Sequence, residues 1–174
     1  TTQMHPDQSL DLDASARHFE ALIDAGVSGL IVCGSLGENQ TLQPDEKRAV
    51  VECAVKTAAG RVPVLTGVAE MSTRSAIAFM SDCEKLGAAG FMIMPAMVYK
   101  ADNAEVMHWF RTLAGATTLP WMLYNNPVGY VIDVTPEMFV ELADIENLVA
   151  IKESSANPRR ITELRNLVGD RYQL

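Results

Sequence analysis

Lys152 stands at the C-terminal end of a short apolar run, Val149-Ala150-Ile151, and is followed by Glu153-Ser154-Ser155. Such a run, bounded by polar residues, predicts a strand buried on both faces, as in a parallel sheet. One reading of the lysine is a side chain that snorkels to solvent. The other is an amine held in an apolar mouth, where desolvation disfavours the ammonium and frees the nucleophile. At the ordinary pKa of ~10.4 only about one amine in 2,500 is neutral at pH 7, whereas at ~8 the fraction is about one in ten. The segment alone leaves both readings open.

Other polar groups fall at the ends of similar runs. Tyr124 closes Leu119-Pro120-Trp121-Met122-Leu123-Tyr124, one strand-helix unit before the lysine. A phenol shuttles protons through a hydroxyl neighbour, and Ser35 in the turn Gly34-Ser35-Leu36-Gly37 offers one. The plain alternatives are a strand-end tyrosine with its hydroxyl in water and a turn serine. The glycines of that turn let successive amides form a concavity for an anion. An amine nucleophile beside a carboxylate cradle implies a substrate with a carboxylate next to a carbonyl or imine carbon, such as a 2-oxo acid. Thr66 reads as strand-end packing and Glu38 as a group satisfying loop backbone. His5, His18 and His108 fall on a loop and on helices and receive no role.

The elements that must position these groups alternate. Asp11 or Asp13 caps a helix with Ala16, Phe19, Leu22 and Ile23 on its apolar face, stopped by Gly26. A buried strand over 28–33 follows, then the glycine turn. Pro44, Asp45 and Glu46 open a second helix that stops at Gly60. A strand over 62–67, a helix over 72–86 and a strand over 90–94 come next. Asp102 with Glu105 makes a capping-box start, the tyrosine strand follows, and Thr135-Pro136-Glu137 opens a short helix. After the lysine strand, Asn157-Pro158 starts a last helix that ends at Gly169, and Tyr172-Gln173-Leu174 reads as the beginning of another strand.

Strand and helix recur at roughly 30 residues, the size of one βα unit. This is a parallel α/β pattern. No Gly-x-Gly-x-x-Gly follows the first strand, and the regular short units favour a (β/α)8 TIM barrel over an open doubly wound sheet. Five complete strands and the start of a sixth are legible, where a barrel needs eight. Residues 1–174 are therefore expected to be a partial (β/α)8 barrel catalytic domain that lacks its first strand and its C-terminal strands and helices, and activity is expected to require them.

Composition excludes other classes. The 174 residues are 48% hydrophobic and 21% charged, with a net charge of −8, and the basic residues are scattered, which argues against nucleic acid or an anionic membrane as partner. Cys33, Cys53 and Cys83 show no Cys-x-x-Cys or Cys/His metal spacing. They read as reduced residues of a cytoplasmic protein. No metal or cofactor is expected.

Three segments carry a resemblance to a known family. Cys33-Gly34-Ser35-Leu36-Gly37-Glu38, Leu123-Tyr124-Asn125-Asn126-Pro127 and Ile151-Lys152-Glu153-Ser154-Ser155 resemble the glycine turn, the Tyr-Asn-x-Pro motif and the Lys-[Glu/Asp]-[Ser/Ala]-[Ser/Thr] motif of the dihydrodipicolinate synthase and N-acetylneuraminate lyase family. The resemblance implies that Lys152 forms an imine with the substrate, that Tyr124 relays protons, that Ser35 links the tyrosine to the relay, and that the backbone at Ser35 and Leu36 holds the carboxylate. It implies a homo-oligomer, dimer or tetramer, acting on a small 2-oxo acid or imine carboxylate.

Departures from that pattern bear on the substrate. Leu36 stands where many members have threonine. Gly129 occupies the position where the synthase carries an arginine for a second substrate's carboxylate, which argues against condensation with aspartate semialdehyde. Ala96 and Met97 replace paired tyrosines, and Tyr99 is displaced. This combination looks most like members that act as 1-pyrroline-4-hydroxy-2-carboxylate deaminases, in which the lysine attacks the ring imine carbon and water and ammonia leave. A synthase, an aldolase for 2-keto-3-deoxy sugar acids or sialic acid, and a non-catalytic binding relative are the alternatives.

Overall fold

The computed structural model describes residues 1–174 as two compact units, one of Thr1–Val68 with Ala78–Met92, the other of Ala69–Ile77 with Ile93–Leu174. The strands follow the order β1-β2-β3-β4-β5, that of consecutive βα units.

In the first unit, helix α1 (Leu12–Asp24) starts where Asp11 accepts from the Ala14 amide at 2.8 Å. Gly26, at φ +90°, takes the left-handed position after it. Strand β1 (Leu30–Val32) is shorter than the sequence pattern suggests, because Cys33 turns into the left-handed region at φ +52°. A 3₁₀ turn (Ser35–Gly37) leads to helix α2 (Pro44–Ala58), whose entry is a capping box between Gln43 and Glu46 with Pro44 at the first position. Strand β2 (Val64–Val68) pairs in parallel with β1, Val32 opposite Thr66. Helix α3 (Thr73–Leu86), whose residues up to Ile77 are counted with the second unit, buries Ala76, Phe79, Met80 and Cys83, and strand β3 (Gly90–Ile93), of which Ile93 is counted likewise, is buried along its whole length.

In the second unit, helix α4 (Asn103–Ala114) opens on the expected capping box: Asp102 accepts from the Glu105 amide at 2.9 Å, and Glu105 accepts from the Asp102 amide at 3.0 Å. Strand β4 (Trp121–Asn125) is followed by a four-residue helix α5 (Pro127–Tyr130) that no periodicity announces. Helix α6 (Pro136–Glu141) precedes strand β5 (Leu148–Glu153), and α7 (Arg160–Val168) ends at Gly169. The expected sixth strand appears as a single parallel bridge between Ala150 and Gln173.

One expectation fails here. Strand β5 is not buried on both faces: Ile151 is buried, but Ala150 is half-buried and Val149 is 40% exposed. An uninterrupted apolar run reports hydrophobicity, whereas burial depends on which neighbours cover each face.

Tyr172 anchors the end of the second unit. Its hydroxyl donates to the Phe139 carbonyl at 2.9 Å, and its ring packs edge-on against Phe139. Burial pushes the phenol up to about 12, with the nearby Arg171 cation acting in the opposite direction. Folding therefore favours the protonated form, and this contribution is present below the ordinary value of 10.0 and lost as pH rises through about 12. An alkaline absorbance titration is expected to show a tyrosine step near pH 12, and Tyr172→Phe is expected to remove that step. A titration with no tyrosine step near pH 12, or one that Tyr172→Phe leaves in place, would contradict the assignment.

Candidate active site

Parallel pairing of β4 and β5 sets Tyr124 opposite Lys152 and Asn125 opposite Glu153. Side chains alternate along a strand, so Tyr124 and Lys152 share one face and Asn125 and Glu153 the other. The Lys152 Nζ lies 3.8 Å from the centroid of the Tyr124 ring. Tyr124 is buried, and Tyr130 of α5 packs edge-on against it with ring centroids 5.5 Å apart. The Asn126 Nδ2 donates to the phenol oxygen at 3.2 Å. That oxygen accepts from an amide, so its own proton is oriented away from Asn126 and can be given to another acceptor.

Lys152 is exposed, not enclosed by an apolar funnel. The aromatic face supports the amine from one side, and Ala150, the preceding residue on the same strand face, is only half-buried. The physical setting is an amine seated over an aromatic face.

Ser35 and Leu36 belong to the first unit, on the 3₁₀ turn, and both are exposed. The turn is held by donations from Gly37 and Asn39 amides to the Gly34 carbonyl and from Glu38 to the Ser35 carbonyl. Cys33 at φ +52° and Glu38 at φ +60° are both non-glycine residues in the left-handed region, a conformation that surrounding contacts must enforce. Asn39 supplies that enforcement. It is fully buried and donates from Nδ2 to the Cys33 carbonyl at 2.8 Å and to the Gly67 carbonyl at 3.3 Å. Thr2 adds a hydrogen bond to the Gly37 carbonyl at 2.7 Å.

Thr66 is buried in β2, Glu38 is exposed, and His5 lies 3.7 Å from the Asp11 carboxylate on the N-terminal loop. Tyr99, 61% exposed, donates to Glu105 at 2.6 Å, and that carboxylate raises its pKa. Both border a cavity of about 350 Å³ with His108, Trp109 and Ile132. No helix is long and apolar enough to cross a membrane.

Asn39, Asn126 and Tyr130 carry roles that sequence reasoning did not assign. Asn126 lies inside a segment already singled out, and a polar residue just before Pro127 is the available signal for the short helix it caps.

Residues 1–174 match the profile of the dihydrodipicolinate synthetase family. The 4-hydroxy-tetrahydrodipicolinate synthase of Desulforudis audaxviator is 38% identical over 159 residues, covering 91% of this chain and 53% of the relative. That of Chelativorans sp. is 36% identical over 169 residues, covering 97% of the chain and 58% of the relative. Among solved structures, a putative dihydrodipicolinate synthetase from Pseudomonas aeruginosa superposes with a TM-score of 0.94 at 35% identity, covering 98% of this chain and 59% of that one. YagE, a prophage protein of the dihydrodipicolinic acid synthase family from E. coli K12 crystallised with pyruvate, superposes with a TM-score of 0.92 at 31% identity over 97% and 57%. The chain spans about half the length of the curated relatives it matches.

Proposed function

The chain belongs to the dihydrodipicolinate synthetase family, as part of a (β/α)8 barrel, and from that premise we propose that it supplies the amine of a lyase that forms a lysine imine. The substrate class is a small 2-oxo acid or a cyclic imine carboxylate. The observation that carries this reading is the Lys152 amine lying 3.8 Å from the ring of a buried tyrosine whose oxygen is held by Asn126.

The chemistry follows from these groups. The Lys152 nitrogen adds to the carbon beside the substrate carboxylate, and the Tyr124 hydroxyl gives its proton to the departing oxygen or ring nitrogen and takes it back on hydrolysis. Ser35 links the phenol to the relay, and the amides of Ser35 and Leu36 hold the carboxylate. The proposal includes assembly as a dimer or tetramer, which the exposed Met71, Val98 and Tyr99 of the second unit support. It also includes a reducing, cytoplasmic setting, supported by the free thiols of Cys33, Cys53 and Cys83.

The finer reading is a 1-pyrroline-4-hydroxy-2-carboxylate deaminase. Lys152 displaces the ring nitrogen at the imine carbon, the 4-hydroxyl leaves as water, and two hydrolyses release ammonia and the semialdehyde of 2-oxoglutarate, with one water consumed overall. Gly129 supports this over condensation with a second carboxylate substrate. Glycine offers no side chain to pair with a second carboxylate.

Borohydride reduction of the full-length protein with pyruvate is expected to add the mass of reduced pyruvate to the peptide containing Lys152. Ammonia is expected from the pyrroline substrate. Cleavage of a 2-keto-3-deoxy sugar acid without ammonia from the pyrroline would replace the deaminase reading by the aldolase one, and no adduct at Lys152 would favour a binding relative.

A further inference from the structure

The face of β4 and β5 opposite Tyr124 and Lys152 carries its own network. Asn125, fully buried, donates from Nδ2 to Glu153 Oε2 at 3.0 Å, to Asp133 Oδ1 at 3.1 Å and to the Val134 carbonyl at 3.2 Å. Its Oδ1 accepts from the Val134 amide at 2.9 Å, and its own carbonyl accepts from the Ser154 amide at 2.8 Å. The second oxygen of Glu153 accepts from the Ser155 amide at 2.7 Å. Asp133 is gripped by both terminal nitrogens of Arg160, each at 2.9 Å, and Arg160 is itself buried at the start of α7. One carboxamide thus ties together the ends of two strands and the loop after α5. That loop contains Val131 at φ +66°, a β-branched residue in a region it avoids unless held there.

We propose that Asn125 and Glu153 are positioning residues for the Lys152 and Tyr124 pair. They lock, from the opposite face, the register that sets amine over phenol, and Arg160 anchors the lock through Asp133. In a parallel strand pair the register places every side chain, and the reactive pair is the immediate neighbour of the locking pair on each strand. The same clasp fixes the loop leading away from Asn126 and Tyr130, the two side chains that hold the phenol. The assignment rests on the imine reading above.

The test measures the rate of pyruvate trapping at Lys152 in the full-length protein as pyruvate is raised to saturation, alongside a denaturant titration. Glu153→Ala, which deprives both Asn125 and the Ser155 amide of an acceptor, is expected to slow trapping at saturation about 10- to 100-fold, the scale of a misplaced reacting group. The half-saturating pyruvate concentration is expected to stay within about threefold, since no contact to pyruvate is removed. Glu153→Gln keeps one acceptor oxygen and the side-chain volume, and is expected to fall between the two; it carries the test if the alanine variant does not fold. Arg160→Met is expected to act in the same direction. No adduct on the unaltered protein removes the imine reading and this inference with it. An adduct on the unaltered protein, with folded Glu153→Gln and Glu153→Ala trapping at its saturated rate, overturns the positioning role alone. So does a loss confined to half-saturation or one that matches the unfolded fraction.

Discussion

Lys152→Ala is expected to abolish pyruvate trapping and to lower turnover by about a thousandfold or more, roughly 4 kcal/mol of transition-state stabilisation. Nothing else on the face of β4 and β5 shared with Tyr124 offers an amine. The fold is expected to be almost indifferent. Lys152 is exposed, and its contact with the Tyr124 ring is worth about 0.5–1 kcal/mol at such a site. The denaturant midpoint should therefore barely move while activity vanishes. Lys152→Arg separates charge from chemistry: a guanidinium keeps a cation over the ring but stays protonated and cannot add to a carbonyl carbon. It should fold as well as the parent and be as inactive as the alanine variant. A Lys152→Ala protein that retains turnover would end the imine mechanism.

The second large effect is on stability and arises far from the lysine in sequence. Gly67→Ala is expected to cost about 3 kcal/mol or more, at the upper end for overpacking, because a Cβ at 67 would run into the Cys33 carbonyl and lie 3.2 Å from the Gly34 Cα. Those atoms are backbone. The Cys33 carbonyl is also fixed by the 2.8 Å hydrogen bond from buried Asn39, so it cannot swing aside without breaking the clasp that holds the turn carrying Ser35 and Leu36. A domain with about 5–15 kcal/mol in hand loses a large share of it. Denaturant unfolding should show a clear drop in midpoint, with weakened pyruvate binding in the surviving fraction. An unchanged midpoint would mean that the approach of β1 and β2 at this point is looser than the geometry requires.

Local chemistry was readable in the sequence; non-local covering was not. The Asp102 and Glu105 pair, the Asp11 cap and the stops at Gly26 and Gly169 are decided within a few residues, and each sits where its side-chain chemistry demands. Tyr124 and Lys152 are strand-end residues that parallel pairing brings opposite one another. The openness of β5 depends instead on what packs against it, which Val149-Ala150-Ile151 cannot express. The left-handed turn at Cys33 is imposed on a residue with a side chain, so no glycine marks it. Helix α5 is too short to show a period. Asn125 and Glu153 stood inside the segments read as motifs, yet their roles surface only with Asp133 and Arg160 in place.

The ring beneath Lys152 has a directional consequence. The ring occupies one side of the nitrogen at 3.8 Å, so on the imine reading a new bond forms away from it. On the imine reading, a planar electrophile arriving there turns one of its two sides toward the amine. The handedness of the tetrahedral carbon made by that addition would then be written by the tilt of one aromatic side chain.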